Sequence, residues 1–385
     1  MGIPIVVGHC AAHLAPVRLF PRPVAPVGNG DAWAQLRRRI GARPAGLVQF
    51  PTRRSRLDEL RPGERLLLIR KYGGLGDILI SSMLFPMLAD QYPEIRVTYA
   101  CPRAFHPLFD GSGLRLLAYE DVWSRREIDR HRGSVRPEIL SRFDLIEDIS
   151  VPCHVWENFF VAYGGIDGGH GLKWRNRLDM WARWFGLRVI NPRTNIVIRE
   201  DERAAARALL ARTVRSDRPV CLIAPWSANR RKNYPWYEAL AQRLQAEGWD
   251  VLLFHNRAIS SDVPTLANLS LRMMGAACAA ADLIVAVDTA AFHWGGILGR
   301  PTVGIFNVND GAAYCKYYPS ARAVQTCATP CINVRYGDGD GTCPAQTTDD
   351  LPPGPGLGLL PSRCYGRRTV QLILEASREF SRRDA

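Results

Sequence analysis

The feature that most narrows the fold of this chain is an alternation that occurs twice. Short apolar runs closed by glycine or a polar residue are followed by stretches with apolar residues at helical spacing, first from Glu64 and again from about residue 199. Apolar runs without a two-residue alternation mark strands covered by helices on both faces, so the rhythm predicts parallel α/β sheets. In the first unit the expected strands are RLLLIRKY, IRVTYA, LRLLAY and FDLIEDI, with GDILISSMLFPMLADQYP and RNRLDMWARWFGL as helices. The second unit reads REDERAAARALLAR as helix, then PVCLIAPW, DVLLFHN, LIVAVD and TVGIF as strands. The helices between them are WYEALAQRLQAEGW, SLRMMGAACAAAD with Ser270 as N-cap, and TAAFHWGGILG.

A chain of 385 residues holds about two domains of ~150 residues with some left over. The expected division is an appendage at 1–62, rich in Pro, Gly and Arg with one helix at Asp31–Ile40; an N-terminal Rossmann-like domain at 63–190; a C-terminal Rossmann-like domain at 191–325; and a Cys-rich segment ending in a helix at 326–385. The two sheet domains, joined near Asn191 and Pro192, enclose a cleft.

With 47% apolar and 23% charged residues, the composition is that of a soluble globular protein and excludes wholesale disorder or a fibre. Charged residues or prolines break every apolar run well short of the ~18 residues a membrane span requires. The start, MGIPIVVGHC, has no basic region, and Val6 stands where a myristoylation signal has Ser or Thr, so the cytoplasm is the expected location. The net charge of +13 comes almost wholly from arginine, since the lysines are Lys71, Lys173, Lys232 and Lys316. A positive field favours anionic partners: phosphosugars, an acidic membrane surface contacted peripherally, or nucleic acid. The arginines are scattered and form no long basic block, which sets nucleic acid last and fits a GC-rich coding bias as well.

Three motifs carry chemistry. The first is Gly73-Gly74-Leu75-Gly76-Asp77, directly after a strand and opening a helix. Glycines there let a ligand approach the backbone, and the helix start offers unpaired N–H groups. There is no Walker Gly-Lys-Ser/Thr, and the last glycine of a dinucleotide fingerprint would fall on Leu79, so neither of those sites is present. What remains is a carboxylate, Asp77, at the rim of the sheet, which is equally suited to capping its own helix. The second motif is Asp288-Thr289-Ala290-Ala291-Phe292-His293, again at a strand end leading into a helix. Its acid suits sugar or ribose hydroxyls and its first N–H groups suit a phosphate, while His293 fits either that site or a packed core position. The third is APWSANRRKNYPW, with Ser227, Asn229, Arg230 and Lys232 in a basic loop suited to a diphosphate leaving group.

In their order and spacing, LLLIRKYGGLGDILISSMLFPMLADQYP, IAPWSANRRKNYPWYEALAQRL and SLRMMGAACAAADLIVAVDTAAFHWGGILGRPTVGIF resemble the heptosyltransferase family, glycosyltransferase family 9. The likeness runs from about Arg65 to the C-terminus. It implies a GT-B fold, an inverting reaction with no metal required for catalysis, and a nucleotide-sugar donor, usually ADP-linked heptose. The usual acceptor is lipopolysaccharide core or another anionic glycan or lipid-linked sugar. By the same resemblance Asp77 is the general base, Lys232 contacts donor phosphate, and Asp288, Thr289, Ala290, Ala291 and His293 hold ribose and phosphates. Ser227, Asn229 and Arg230 carry over less directly, because their loop is spelled differently. HNRAISSD and Asn307-Val308-Asn309 also depart from the family's glycine-rich and Gly-Pro-Thr segments, which leaves base and sugar open.

Of the ten cysteines, Cys327, Cys331, Cys343 and Cys364 crowd into the C-terminal segment, the others being dispersed in largely apolar surroundings. In a chain read as intracellular, such a cluster suggests a structural Zn or Fe site or four free thiols. In a protein-modifying branch of the family a similar set binds iron. Other readings are a protein- or DNA-modifying glycosyltransferase of the same fold, and a non-catalytic nucleic-acid or partner-binding protein with a four-cysteine finger. The presence of Asp77, Lys232 and Asp288 at three separate loops favours the enzyme. Trp156, Glu157 and His170 are weaker candidates for acceptor contact.

Overall fold

The computed structural model describes residues 5–7, 56–69, 74–122, 135–149, 176–214, 217–228, 232–256, 262–307, 309–326, 365–366 and 368–381. The expected helix at Asp31–Ile40 lies outside them.

The described residues form two parallel sheets. The first contains β1 (Ile5–Val7), β2 (Arg65–Ile69), β3 (Arg96–Cys101), β4 (Arg115–Ala118) and β5 (Leu145–Asp148), in the order β1-β5-β2-β3-β4. The second contains β6 (Val220–Ala224), β7 (Asp250–Phe254), β8 (Thr265–Leu266), β9 (Leu283–Val287), β10 (Thr302–Phe306) and β11 (Ala321–Gln325), in the order β11-β10-β9-β6-β7-β8. Every residue of β9 and β10 is buried, as expected for strands roofed on both faces. The edge strand β11 was not legible in the sequence: ARAVQ alternates buried and open positions and carries Arg322 and Gln325, so it lacks a continuous apolar run.

The helix expected after β2 is two helices, α1 (Leu75–Ser81) and α2 (Leu84–Gln91). The Ser81 and Ser82 hydroxyls donate to the Ile78 and Leu79 carbonyls at 2.8 and 2.6 Å, loosening the turn. Pro86 then has no N–H for the Ser82 carbonyl four residues back, and that carbonyl accepts instead from Asn195 N–H at 3.4 Å. The break thus ties the first unit to the segment that leaves it.

Besides single turns at Tyr119–Val122 and Pro137–Leu140, the helices that follow are α3 (Arg177–Phe185), α4 (Glu200–Thr213), α5 (Tyr237–Ala246), α6 (Leu271–Ala280), α7 (Ala290–Ile297), α8 (Gly311–Cys315) and α9 (Arg368–Ser381). Ser270 caps α6 as the sequence implies, its hydroxyl accepting from Met273 N–H at 3.2 Å. Trp181 fixes α3 to the first sheet, its indole N–H donating to the Ile149 carbonyl at 2.8 Å. The terminal helix α9 instead lies against β10 and β11 of the second sheet.

One apolar cluster runs from Leu66, Leu79 and Tyr99 of the first unit through Phe292, Trp294 and Phe306 of the second, so the two units share a core. Polar ties cross the same seam. Lys316 Nζ lies 2.7 Å from Asp179 of α3. Arg272 of α6, almost fully buried, donates to the carbonyls of Leu108 in the first unit and Val197 in the connecting segment, and pairs with Glu202 of α4. Its hydrogen bond, ahead of its charge, holds the Glu202 carboxyl below its ordinary value. Cys221 and Cys278 are buried thiols, and burial, helped by Glu120, pushes Cys101 up to about 12, so these dispersed cysteines are inert core residues.

Candidate functional site

In a doubly wound sheet, ligands bind where the winding reverses, beyond the carboxyl ends of the two strands concerned. In the second sheet that place lies between β6 and β9, since β7 is on one side of β6 and β9 on the other. A cavity of about 390 Å³ occupies it, lined by Ala224, Trp226, Ser227 and Ala228 after β6, Phe254, His255 and Asn256 after β7, and Thr289, Ala290 and Ala291 at the start of α7. One wall is aromatic: Trp226 meets His255 edge to face, with ring centres 5.3 Å apart. The opposite wall is a helix N-terminus with unpaired N–H groups, suited to an anion.

Asp288 links the end of β9 to this helix and is 8% exposed. Lys232 Nζ donates to Oδ2 at 2.7 Å, the Asn309 side-chain amide donates to the same oxygen, and His293 Nε2 stands 3.7 Å from Oδ1. Burial alone would raise this carboxyl, but the Lys232 charge and the His293 contact outweigh it and hold Asp288 far below the usual carboxylate range. Tyr314, beside Asn309 and Arg177, is raised well above the ordinary phenol by burial and by the Asp288 charge, so it stays a donor.

The loop carrying Lys232 is pinned at both ends. Tyr234 N–H donates to the Pro225 carbonyl at 2.8 Å, and Ser227 N–H donates to Asn233 Oδ1 at 2.9 Å. Tyr365, 2% exposed, donates from its hydroxyl to the Lys232 carbonyl and accepts on its own carbonyl from Trp236 Nε1, both at 2.9 Å. Its ring meets Tyr234 nearly perpendicular at 5.3 Å. Tyr365→Phe keeps the ring and removes one bond to a part-buried carbonyl, a loss of about 1–3 kcal/mol. The expected result is a several-fold weaker hold on anionic ligands of the cavity, with the melting temperature lowered by a few degrees; calorimetric titration of nucleotide into both proteins checks it.

On the other side of the seam, Asp77 lies in the first turn of α1. Its Oδ2 accepts from Gly74 N–H at 3.0 Å, the cap anticipated from sequence, and its Oδ1 pairs with Arg177 Nη1 at 2.8 Å. Arg177 opens α3. The preceding Asn176 caps that helix through Leu178 N–H at 2.8 Å and donates to the Ala313 carbonyl of the second unit at 3.1 Å.

Gly76 is where the two units meet. A Cβ placed there would lie 2.7 Å from His293 Cδ2. His293 is 3% exposed and bridges Tyr318, 3.1 Å from Nδ1, and Asp288, so it has nowhere to retreat. Gly76→Ala is therefore expected to force α1 and α7 apart and cost about 1–3 kcal/mol; urea unfolding reads the loss, and an unchanged midpoint would mean the helices separate freely.

Asp77, Gly74, Gly76, Lys232, Asp288 and His293 thus form one connected group, while Ser227, Thr289, Ala290 and Ala291 line the adjoining cavity. His293 faces inward between Gly76 and Asp288 rather than into the cavity. Gly73, Asn229 and Arg230 lie outside the described residues, as do Trp156, Glu157, His170 and all four clustered cysteines, Cys327, Cys331, Cys343 and Cys364. Among the described residues, no group of three or more His, Cys, Asp or Glu side chains is arranged to hold a metal. Sequence reasoning passed over Asn176, Arg177, Asn309, Tyr314 and Tyr365. Only Asn309 left a trace, as part of the segment that departs from the expected spelling.

Residues 174–336 match the family model described as glycosyltransferase family 9 (heptosyltransferase). Over that span the chain is similar to glycosyltransferase family 9. The matched span holds Arg177, Lys232, Asp288 and His293, whereas Asp77 precedes it. Among solved structures, the family 9 glycosyltransferase of Veillonella parvula is 15% identical with a TM-score of 0.52, covering 69% of this chain and 86% of its own. TibC, an iron-containing dodecameric glycosyltransferase of enterotoxigenic E. coli, is 12% identical with a TM-score of 0.54, covering 83% of this chain and 79% of its own. TibC in complex with ADP-D-β-D-heptose matches with a TM-score of 0.51 at 12% identity, over 83% of this chain and 77% of its own. At such identities the likeness establishes the fold, the two-sheet GT-B arrangement. No curated protein matches the chain. No described helix is long and apolar enough to cross a membrane.

Proposed function

We propose that this protein transfers a sugar, with inversion, from a nucleotide-sugar bound in the β6–β9 crevice to an acceptor hydroxyl presented by the first unit. The observation that carries the reading is the contact of Gly76 with His293, which sets the Asp77 carboxylate and the anion-suited start of α7 on facing sides of one seam. An inverting displacement needs that layout, since the nucleophile enters opposite the leaving group. Asp77 takes the proton from the acceptor hydroxyl as its oxygen bonds to the anomeric carbon. The bond from that carbon to the diphosphate breaks, and the departing charge is met by the N–H groups at Thr289–Ala291 and by Lys232. Lys232, now held 2.7 Å from Asp288, is a part-buried cation within reach of that work. Arg177 positions Asp77 rather than touching the reacting atoms.

The donor we propose is an ADP-linked heptose, on the strength of the family 9 likeness and of the ADP-D-β-D-heptose held by TibC. For the acceptor, the net charge of +13 favours an anionic glycan or a lipid-linked sugar such as lipopolysaccharide core, met by a protein lying peripherally on the cytoplasmic face of a membrane. Incubation with ADP-, UDP- and GDP-sugars, following nucleotide release and thermal shift, tests the donor. ADP-heptose should both stabilise the protein and be consumed. If it does neither while a different nucleotide-sugar does, the donor assignment falls and the class stands; inertness toward the whole panel sinks the class.

A further inference from the structure

Three neighbouring strands of the first sheet begin with the same residue: Arg65 opens β2, Arg96 opens β3 and Arg115 opens β4. Because the strands are parallel, these arginines gather at one edge. Arg65 is the register partner of Arg96, and Arg115 sits opposite Thr98, two residues further along β3. Arg142, just ahead of β5, joins them, and the four line a cavity of about 270 Å³ together with Thr98 and Phe143. Among the described residues, Arg65 alone of the four has an ion-pair partner, Asp144, at 3.5 Å. The exposed side chains of Arg96, Arg115 and Arg142 are without ion pair or hydrogen bond among the described residues.

Like charges side by side on adjacent strands repel, so this arrangement does nothing for the sheet. A concave site lined by one sign of charge instead concentrates counter-ions, and planar guanidinium forks match the oxygens of a phosphate. The cavity is also remote from the seam. Arg65 and Ile69 are the two ends of β2, about 13 Å apart at ~3.3 Å per residue, and the glycine loop lies beyond the far end.

We propose that this arginine-lined cavity is a second anion site, which takes a phosphate-bearing group and is distinct from the donor crevice. That chemistry belongs to the headgroup of an acidic phospholipid and to a free phosphorylated metabolite alike, and the two are separated by experiment. The full chain is titrated with inorganic pyrophosphate and, separately, sedimented with phosphatidylcholine vesicles with and without phosphatidylglycerol. The variant is Arg96→Glu/Arg115→Glu. The control is Arg212→Glu/Arg243→Glu, which makes the same change in net charge at exposed arginines elsewhere. Lys232→Ala reports any pyrophosphate held in the donor crevice, so the two sites are counted apart. Losing two charge-assisted contacts should weaken pyrophosphate or acidic-vesicle binding by at least about tenfold in the variant, against less than about twofold in the control. A loss confined to vesicles identifies a lipid headgroup; a loss confined to pyrophosphate identifies a soluble ligand. Arg96→Gln/Arg115→Gln, with repulsion removed and no new charge, answers the same question if the glutamates impair folding. Equal binding of both probes by wild type, variants and control, or no binding by the wild type, overturns the proposal.

Discussion

Asp77→Asn lowers transfer by about 10²–10⁴-fold, the usual worth of a general base, while nucleotide affinity stays within about threefold. Asparagine keeps an oxygen for the Gly74 N–H, so α1 remains capped and Gly76 stays against His293. What disappears is the carboxylate that pairs with Arg177 at 2.8 Å, and with it the base proposed for the acceptor hydroxyl. Single-turnover transfer measured beside calorimetric nucleotide binding separates the outcomes. A variant that turns over normally removes Asp77 from the chemistry, and one that loses nucleotide instead reassigns the carboxylate to donor binding. Arg177→Gln is the companion measurement: it leaves the base present but unpositioned, and a shifted pH–rate profile would distinguish that from mere loss of stability.

The second large effect is expected at Lys232. Among the described residues, Lys232→Ala leaves the buried Asp288 with His293 and the Asn309 amide as its side-chain partners. Removing one partner of a buried pair costs about 3–5 kcal/mol, because the remaining charge stays out of water. Since the folded Asp288 carboxyl is depressed, the stability it gains from Lys232 is present above the ordinary carboxylate range and is lost as pH falls below it. The gap between wild type and variant in urea unfolding should therefore be widest near neutrality and narrow in acid. Lys232→Ala/Asp288→Asn should recover part of the stability but none of the donor affinity, which separates the structural role from the ligand-binding one. A gap that is flat with pH would mean the pair contributes nothing through charge.

Much of the fold was legible because its strands are buried on both faces. LLLI, LIVAV and TVGIF can be little else once helical stretches separate them, and the paired glycine and acid at strand ends fall where open sheets hold ligands. The edge strand β11 was hidden because an edge needs only every second residue apolar, and its five residues include Arg322 and Gln325. The split between α1 and α2 depended on hydroxyls turning back onto their own helix, which periodicity does not encode. Within the site, the residues on strand-to-helix turns could be found by their local grammar, as Asp77 and Asp288 were. Arg177 and Tyr365 could not, because each acts on a residue 100 or more positions away and its own neighbourhood is unremarkable as sequence. The same holds for the arginines that open β2, β3 and β4: spaced along the chain they look scattered, and only parallel pairing collects them.

Arg272 has a mechanical consequence. Its guanidinium is fastened at once to a carbonyl of the first lobe, to a carbonyl of the connector and to a carboxylate at the head of α4. Translating one lobe over the other would strip the Leu108 carbonyl from a nearly buried cation that the connector and α4 hold in place. Turning about that point disturbs this contact least, so any opening of the crevice is expected to pivot at Arg272 and to change an angle more than an offset.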